Sequence, residues 1–218
     1  MTSSTAIFTD ETVAFMRALA ANNKRDWFKE NKSTYERDYK EPADFFGAVM
    51  AEQLETLTGH TYRAKVFRIY RDVRFAKDKT PYNTHLHISF MPEGVGASPA
   101  WYFGLDTKKL TLGVGSFDLS KERLERVRQR ILANEGEKFE AMLKALEAQG
   151  LRIGDPALKR VPRGYDAEHP RAQLLRHKSL TVWHDFNDTS AATTASTVND
   201  CMDTFKTMMP LFNWLMAL

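Results

Sequence analysis

The sequence offers one cysteine, Cys201, so it can close no internal disulfide and build no cysteine-based metal cage. Met202 and Phe205 flank it on a helical pattern, which reads as a core thiol rather than a nucleophile. No run of about 18 apolar residues occurs, so no transmembrane helix is expected. The opening stretch MTSSTAIFTDE has no basic region leading into an apolar one, so no secretory signal is read and a cytoplasmic protein is expected. The phosphate-loop patterns G-x-x-x-x-G-K-[ST] and G-x-G-x-x-G are missing, as is the G-x-S-x-G nucleophile elbow; Gly113-Val114-Gly115 fits none of them. There are no internal repeats. Nothing calls for a cofactor, and none is expected.

What is present is an ordinary globular composition, 43% hydrophobic and 27% charged over 218 residues, most simply a single domain spanning 1–218. The net charge of +3 hides an uneven distribution. Between Arg63 and Lys79 seven basic residues face only Asp72 and Asp78. Between Arg152 and Lys178 seven more face Asp155, Asp166 and Glu168. The rest of the chain is therefore mildly acidic, with two basic patches of the kind that anion binding uses.

Hydrophobic spacing organises the chain. Thr9 can cap a helix from Asp10 to about Ala21; Trp27, Phe28, Tyr35 and Tyr39 continue at helical spacings; and Pro42 suits the first turn of a helix that stops at Gly59. After Gly59 the period changes to two, with alternating segments at 65–75, 84–91, 100–106 and 109–115. Ser120 caps a helix through Leu132, and another runs from Lys138 to Gln149. Residues 151–178 are basic and irregular, with a short helix at 171–176; a late strand at Ser179–His184 and a helix at about Thr194–Met209 follow. The polar run 187–197 is a short candidate linker, and the tail PLFNWLMAL is too apolar to hang free. The predicted fold class is α+β: an antiparallel β-sheet flanked by helices, with a helical N-terminal part and a C-terminal helix. The helices fall at about 10–58 and 120–150, the sheet at about 65–115, and the late strand and final helix at 179–218.

The segment RIYRDVRFAKDKTPYNTHLHISF, 69–91, carries the most chemistry. Read as strands 66–75 and 84–91 joined by a turn, it pairs residue 72 with 87 and 74 with 85. One face then gathers Arg68, Tyr70, Asp72, Arg74, His85 and His87. That face is either a binding surface, in which Asp72 orients His87 as an acid or base, or the solvated side of an antiparallel sheet. His85-Leu86-His87 could hold a metal with Asp72 as third ligand, but the pattern is weak and no metal is expected. Arg71 falls opposite Ile88 on the apolar face and needs a partner, Asp78 or Asp106. Buried there, its removal would cost about 3–5 kcal/mol. Trp101-Tyr102-Phe103 builds a core or, less in keeping with its spacing, stacks bases.

NNKRDWF (22–28), FRIYRDVRFAKDKTPY (67–82), the strand WYF (101–103), the L-x-x-V-R-x-x-I helix (124–131) and the apolar C-terminus together resemble the family known as domain of unknown function 2461, found in bacteria and fungi. The resemblance covers essentially the whole chain as one domain. It implies no activity. Its hallmark positions fall on Arg68, Arg71, Asp72, Arg74, Phe75, Asp78, Lys79, Pro81 and Tyr82; the NTHLHI segment is a less fixed part of the pattern.

The expected function is binding of a small anion bearing phosphate or carboxylate near 68–82, through Arg68, Arg74, Lys77, Lys79 and Tyr82, with Arg74 the first choice. Arg160 or Arg163 could assist from the second basic segment. His85, His87 and Asp72 are the catalytic candidates, and whether the chain is an enzyme stays open. Arg71, Asp72, Asp78 and Pro81 are the structural members of the motif. The alternatives are a non-catalytic interaction module and nucleic-acid binding. The second is not expected, because acidic residues interleave the basic ones.

Overall fold

A computed structural model describes residues 6–96, 99–117 and 119–218. The helices are α1 (Asp10–Ala21), α2 (Arg25–Glu30), α3 (Lys32–Tyr35), α4 (Glu41–Thr58), α5 (Lys121–Leu132), α6 (Glu135–Ala148) and α7 (Thr197–Met216). A π-helical turn, Glu36–Lys40, joins α3 to α4. The strands are β1 (Tyr62–Val66), β2 (Leu86–Pro92), β3 (Ala100–Leu105), β4 (Leu110–Ser116), β5 (Arg152–Ile153) and β6 (Leu180–Phe186). They form one antiparallel sheet in the order β1-β2-β3-β4-β6-β5, so the α+β class holds. Among the described residues no helix is long and apolar enough to cross a membrane.

The chain divides into two compact units. The first comprises residues up to Glu93 together with Tyr102–Leu112 and Asp185–Asp203. In it, α1 begins as its sequence dictates: the Thr12 hydroxyl accepts a hydrogen bond from the Thr9 N–H at 3.3 Å. Val13, Phe15, Met16 and Leu19 face inward. Pro42 sits in the first turn of α4, where its missing N–H has no role to lose, and Gly59 ends that helix at φ +74°. Phe8, Phe46 and Phe103 form the centre of this unit's core, with ring centroids 4.6–5.6 Å apart.

The second unit comprises Gly94–Trp101, Gly113–His184 and Thr204–Leu218. Its core is built on Trp101, fully buried between Phe205 and Phe212 at 4.9 Å from each. Ser120 caps α5 by accepting from the Arg123 N–H, and Arg171 closes the other end by donating to the carbonyls of Ile131, Leu132 and Ala133. The apolar tail is packed, and as helix: α7 runs through Pro210 to Met216 with Leu211, Phe212 and Leu215 buried.

Two elements depart from the sequence reading: the short strand β5 falls in the segment expected to be irregular, and the first charged strand is lost. Strand β1 ends at Val66, and its register on β2 pairs Tyr62 with Pro92 and Val66 with Ile88. The predicted strand 66–75 is therefore a loop, and residues 72 and 74 do not face 87 and 85. Of its alternating apolar residues Ile69 alone is fully buried, whereas Phe67 and Phe75 are exposed, so nothing holds the segment flat against a core.

Candidate functional site

The loop 67–83 leaves the ladder gradually. Phe67 still donates its N–H to the His87 carbonyl at 2.9 Å. Beyond it one bridge, Tyr70 with Tyr82, closes the base of the loop: Arg71 N–H donates to the Pro81 carbonyl at 2.9 Å and Asn83 N–H to the Ile69 carbonyl at 2.7 Å. The base is then pinned from a distant part of the chain. Asn23 donates its amide to the Tyr82 carbonyl at 2.9 Å and accepts the Tyr82 N–H at 3.1 Å, as a neighbouring strand would. Phe28 stacks on Tyr82 at 4.2 Å. The motifs NNKRDWF and FRIYRDVRFAKDKTPY are thus two sides of one contact.

The outer part, 71–80, is held by its own charged side chains. Arg71 Nη1 donates to Asp78 Oδ2 at 2.7 Å, to the Thr80 carbonyl at 3.0 Å and to the Thr80 hydroxyl. The Thr80 N–H, Arg71 and the Thr80 hydroxyl together bring the Asp78 carboxyl down to about 2. Arg74 grips Asp72 with two parallel bonds of 3.0 and 2.7 Å, which lowers the Asp72 pKa. Lys79 donates to the carbonyls of Val73 and Arg74. Arg71 accordingly has the partner expected for it, Asp78, but not in a core. Asp78 is 61% exposed, so losing Arg71 leaves the carboxylate in water and the cost expected for a buried pair does not apply.

Beside this loop lies an open groove of about 330 Å³ lined by Phe67, Arg68, Tyr70, Arg71, Asp72, Asn83, His85 and His87. His85 and His87 stack with centroids 4.0 Å apart, and the Tyr39 hydroxyl fixes the backbone there by donating to the His85 carbonyl at 2.9 Å. Burial depresses both imidazoles. Asp106 opposes the effect at both residues, Arg71 adds to it at His85, and His85 adds to it at His87, whose pKa falls to about 4. His87 is nonetheless an exposed residue, and the stack explains both facts: one ring face is covered while the residue opens on the groove. A Cβ at Gly104 would lie 3.2 Å from His87 Cδ2, so the glycine makes room for that ring. The pair is neutral at pH 7.

The structure thus brings Arg68, Asp72, His85 and His87 together. Arg74, Lys77, Lys79 and Tyr82 are not among the groove's lining residues: Arg74 is engaged by Asp72, Lys79 by carbonyls, Lys77 is exposed, and Tyr82 is buried against Phe28. Arg160 and Arg163 are exposed residues of the second unit. Arg68 differs from its neighbours. Its guanidinium makes no hydrogen bond or close ion pair among the described residues and interacts with the Asp72 carboxylate only through its charge, while its carbonyl is held by the Asn83 amide at 3.1 Å. Sequence reasoning missed Phe67 and Asn83 as lining residues and Asn23, Tyr39 and Gly104 as supports. The NNKRDWF motif was the available signal for Asn23; for the others there was none. Among the described residues no group of three or more His, Cys, Asp or Glu is arranged to hold a metal.

A family model described as "Conserved hypothetical protein (DUF2461)" matches residues 11–214. The chain belongs to the DUF2461 family. No curated protein matches it. The DUF2461 match spans both groove-bearing and groove-distant parts of the sequence, including the arginine loop, the histidine strand and the WYF segment.

Proposed function

We propose that the groove binds a small anionic ligand, phosphate- or carboxylate-bearing, with Arg68 as its principal contact. The observation that carries this is the division of labour among the loop's arginines. Arg71 and Arg74 are each held by a carboxylate of the loop itself, while Arg68 lines the groove with its donors uncommitted. Guanidinium offers a planar fork that matches carboxylate and phosphate oxygens. The single-domain reading is supported by one family model that matches across both units. A reaction, if the groove performs one, would draw on the His85–His87 pair, which is neutral and able to accept a proton.

The test is calorimetric titration against a panel of phosphorylated and carboxylated metabolites. Arg68→Ala is expected to weaken a hit by about 10- to 100-fold, the loss of a charge-assisted hydrogen bond, and Arg74→Ala by less than about threefold. A hit unchanged in Arg68→Ala overturns the assignment.

Acid should strengthen the binding. An anion favours the protonated imidazole, so binding takes up a proton wherever the free histidines are neutral. Affinity for sulfate, whose own charge is constant over this range, is expected to rise as pH falls from 6.5 towards the His87 value of about 4, and His87→Gln should flatten the rise. Stability runs the other way. The unfolded histidines take up protons first, so the fold loses stability over the same interval.

One observation favours a second reading, an interaction module with a structural motif: Phe75, at the outer end of the loop, is 96% exposed. A docking role there leaves metabolite affinities untouched by Arg68→Ala.

A further inference from the structure

The groove's rings narrow the class of ligand, on the reading that it binds an anion at all. We infer that its ligand carries the anionic group on a flat ring, as an aromatic phosphate or carboxylate does, and that Phe67 and Tyr70 are the residues that contact the ring. Five large hydrophobic side chains are exposed among the described residues, and two of them, Phe67 at 44% and Tyr70 at 53%, line this one groove. Both line the groove together with Arg68, so the uncommitted guanidinium and two open aromatic rings share one groove.

Neither ring is loose. Phe67 meets the His87 imidazole edge-on, 6.5 Å between centroids at 86°, and the Lys65 ammonium lies 5.1 Å from its centroid. Tyr70 packs its ring against Phe28 at 5.8 Å and Tyr82 at 5.3 Å. A ring held in place while still open to water binds a planar partner with little further loss of freedom. The stacked imidazoles of His85 and His87 extend the aromatic lining. An aliphatic anion of the same charge satisfies Arg68 and leaves these surfaces wet. A ring-bearing one covers them, which is how small-molecule sites combine apolar walls with a few polar anchors. Asp72, within the same groove, disfavours a run of successive phosphates and so a nucleic-acid strand.

The experiment compares matched probes by titration calorimetry on the full chain: phenyl phosphate against butyl phosphate, and benzoate against butanoate. The aromatic member of each pair is expected to bind about tenfold more tightly. Phe67→Leu, which keeps apolar bulk and removes the ring, should shrink that ratio to less than about threefold; Tyr70→Leu should act in the same direction. Equal affinities within each pair, or a ratio unmoved in Phe67→Leu, overturn the ring inference and leave anion binding standing. Failure of all four probes to bind overturns both.

Discussion

Replacing Phe28 by alanine is expected to destabilise the protein by about 3–5 kcal/mol and to free the loop that carries the groove. Phe28 is 3% exposed, lies on a helix of only six residues, and touches three other rings: Tyr82 at 4.2 Å, Tyr35 at 5.1 Å and Tyr70 at 5.8 Å. Two of those tyrosines belong to the loop, which has one backbone bridge of its own. Side-chain packing on Phe28 therefore adds to that bridge and to the Asn23 clamp in attaching the loop. The effect should appear twice: as a lowered denaturant midpoint, and as faster amide exchange at Arg71 and Asn83, whose N–H groups form the bridge. A loss of less than about 1 kcal/mol is below the range for a truncated core aromatic and would show that the loop is held elsewhere. Phe28 and Tyr82 truncated together should lose less than the sum of the two, by about 0.5–1.5 kcal/mol for the stacked pair.

The second large effect lies in the other unit, at Gly115, where alanine is expected to cost about 3–5 kcal/mol. Its φ of +146° is a conformation that side chains rarely adopt, and a Cβ there would lie 2.1 Å from the Leu180 carbonyl oxygen and 2.6 Å from Thr181 Cα. Both obstacles are backbone of β6 and cannot swing aside. Gly113, two residues earlier, is closed off by the indole of Trp183, 2.2 Å from where its Cβ would be. Gly96 is the control: among the described residues nothing lies within 4 Å of its Cβ position, and Gly96→Ala should leave the melting temperature nearly unchanged. Equal melting temperatures for Gly115→Ala and Gly96→Ala would refute the account. As a sequence, Gly113-Val114-Gly115 matches no ligand motif; as structure, it is where two strands and an indole come too close for side chains.

Much of the fold was legible because local rules agreed with one another. Ser120, Pro42 and Gly59 stand where helix ends need them, and β3 alternates towards its end as a half-buried strand does, whereas β4 is buried along nearly its whole length. The loop 67–83 was misread for a definite reason. Phe67, Ile69, Arg71, Val73 and Phe75 reproduce a strand's period of two, yet the segment's shape is decided by bonds that period does not encode: Asp72 to Arg74, Asp78 to Thr80, Lys79 to carbonyls, and a proline at 81 that withholds an N–H. Of the candidate residues, Arg68, Asp72, His85 and His87 line one groove. Arg74, expected as the first contact, is held by Asp72, and composition cannot say which arginine a neighbouring aspartate will occupy. The clamp from Asn23 to Tyr82 joins residues 59 apart, and no local pattern announces such a pairing.

The burial of Cys201 makes the protein convenient to instrument. Its thiol is sealed in the core and burial pushes its pKa up, so maleimide and iodoacetamide reagents find no thiolate to attack at neutral pH. With no other cysteine in the chain, a single Phe75→Cys substitution would supply one addressable thiol at a position that is already fully open. A fluorophore or spin label attached there sits on the same loop as Arg68, and its signal would report what that loop does as candidate molecules are added, with no cysteine-free background to engineer first.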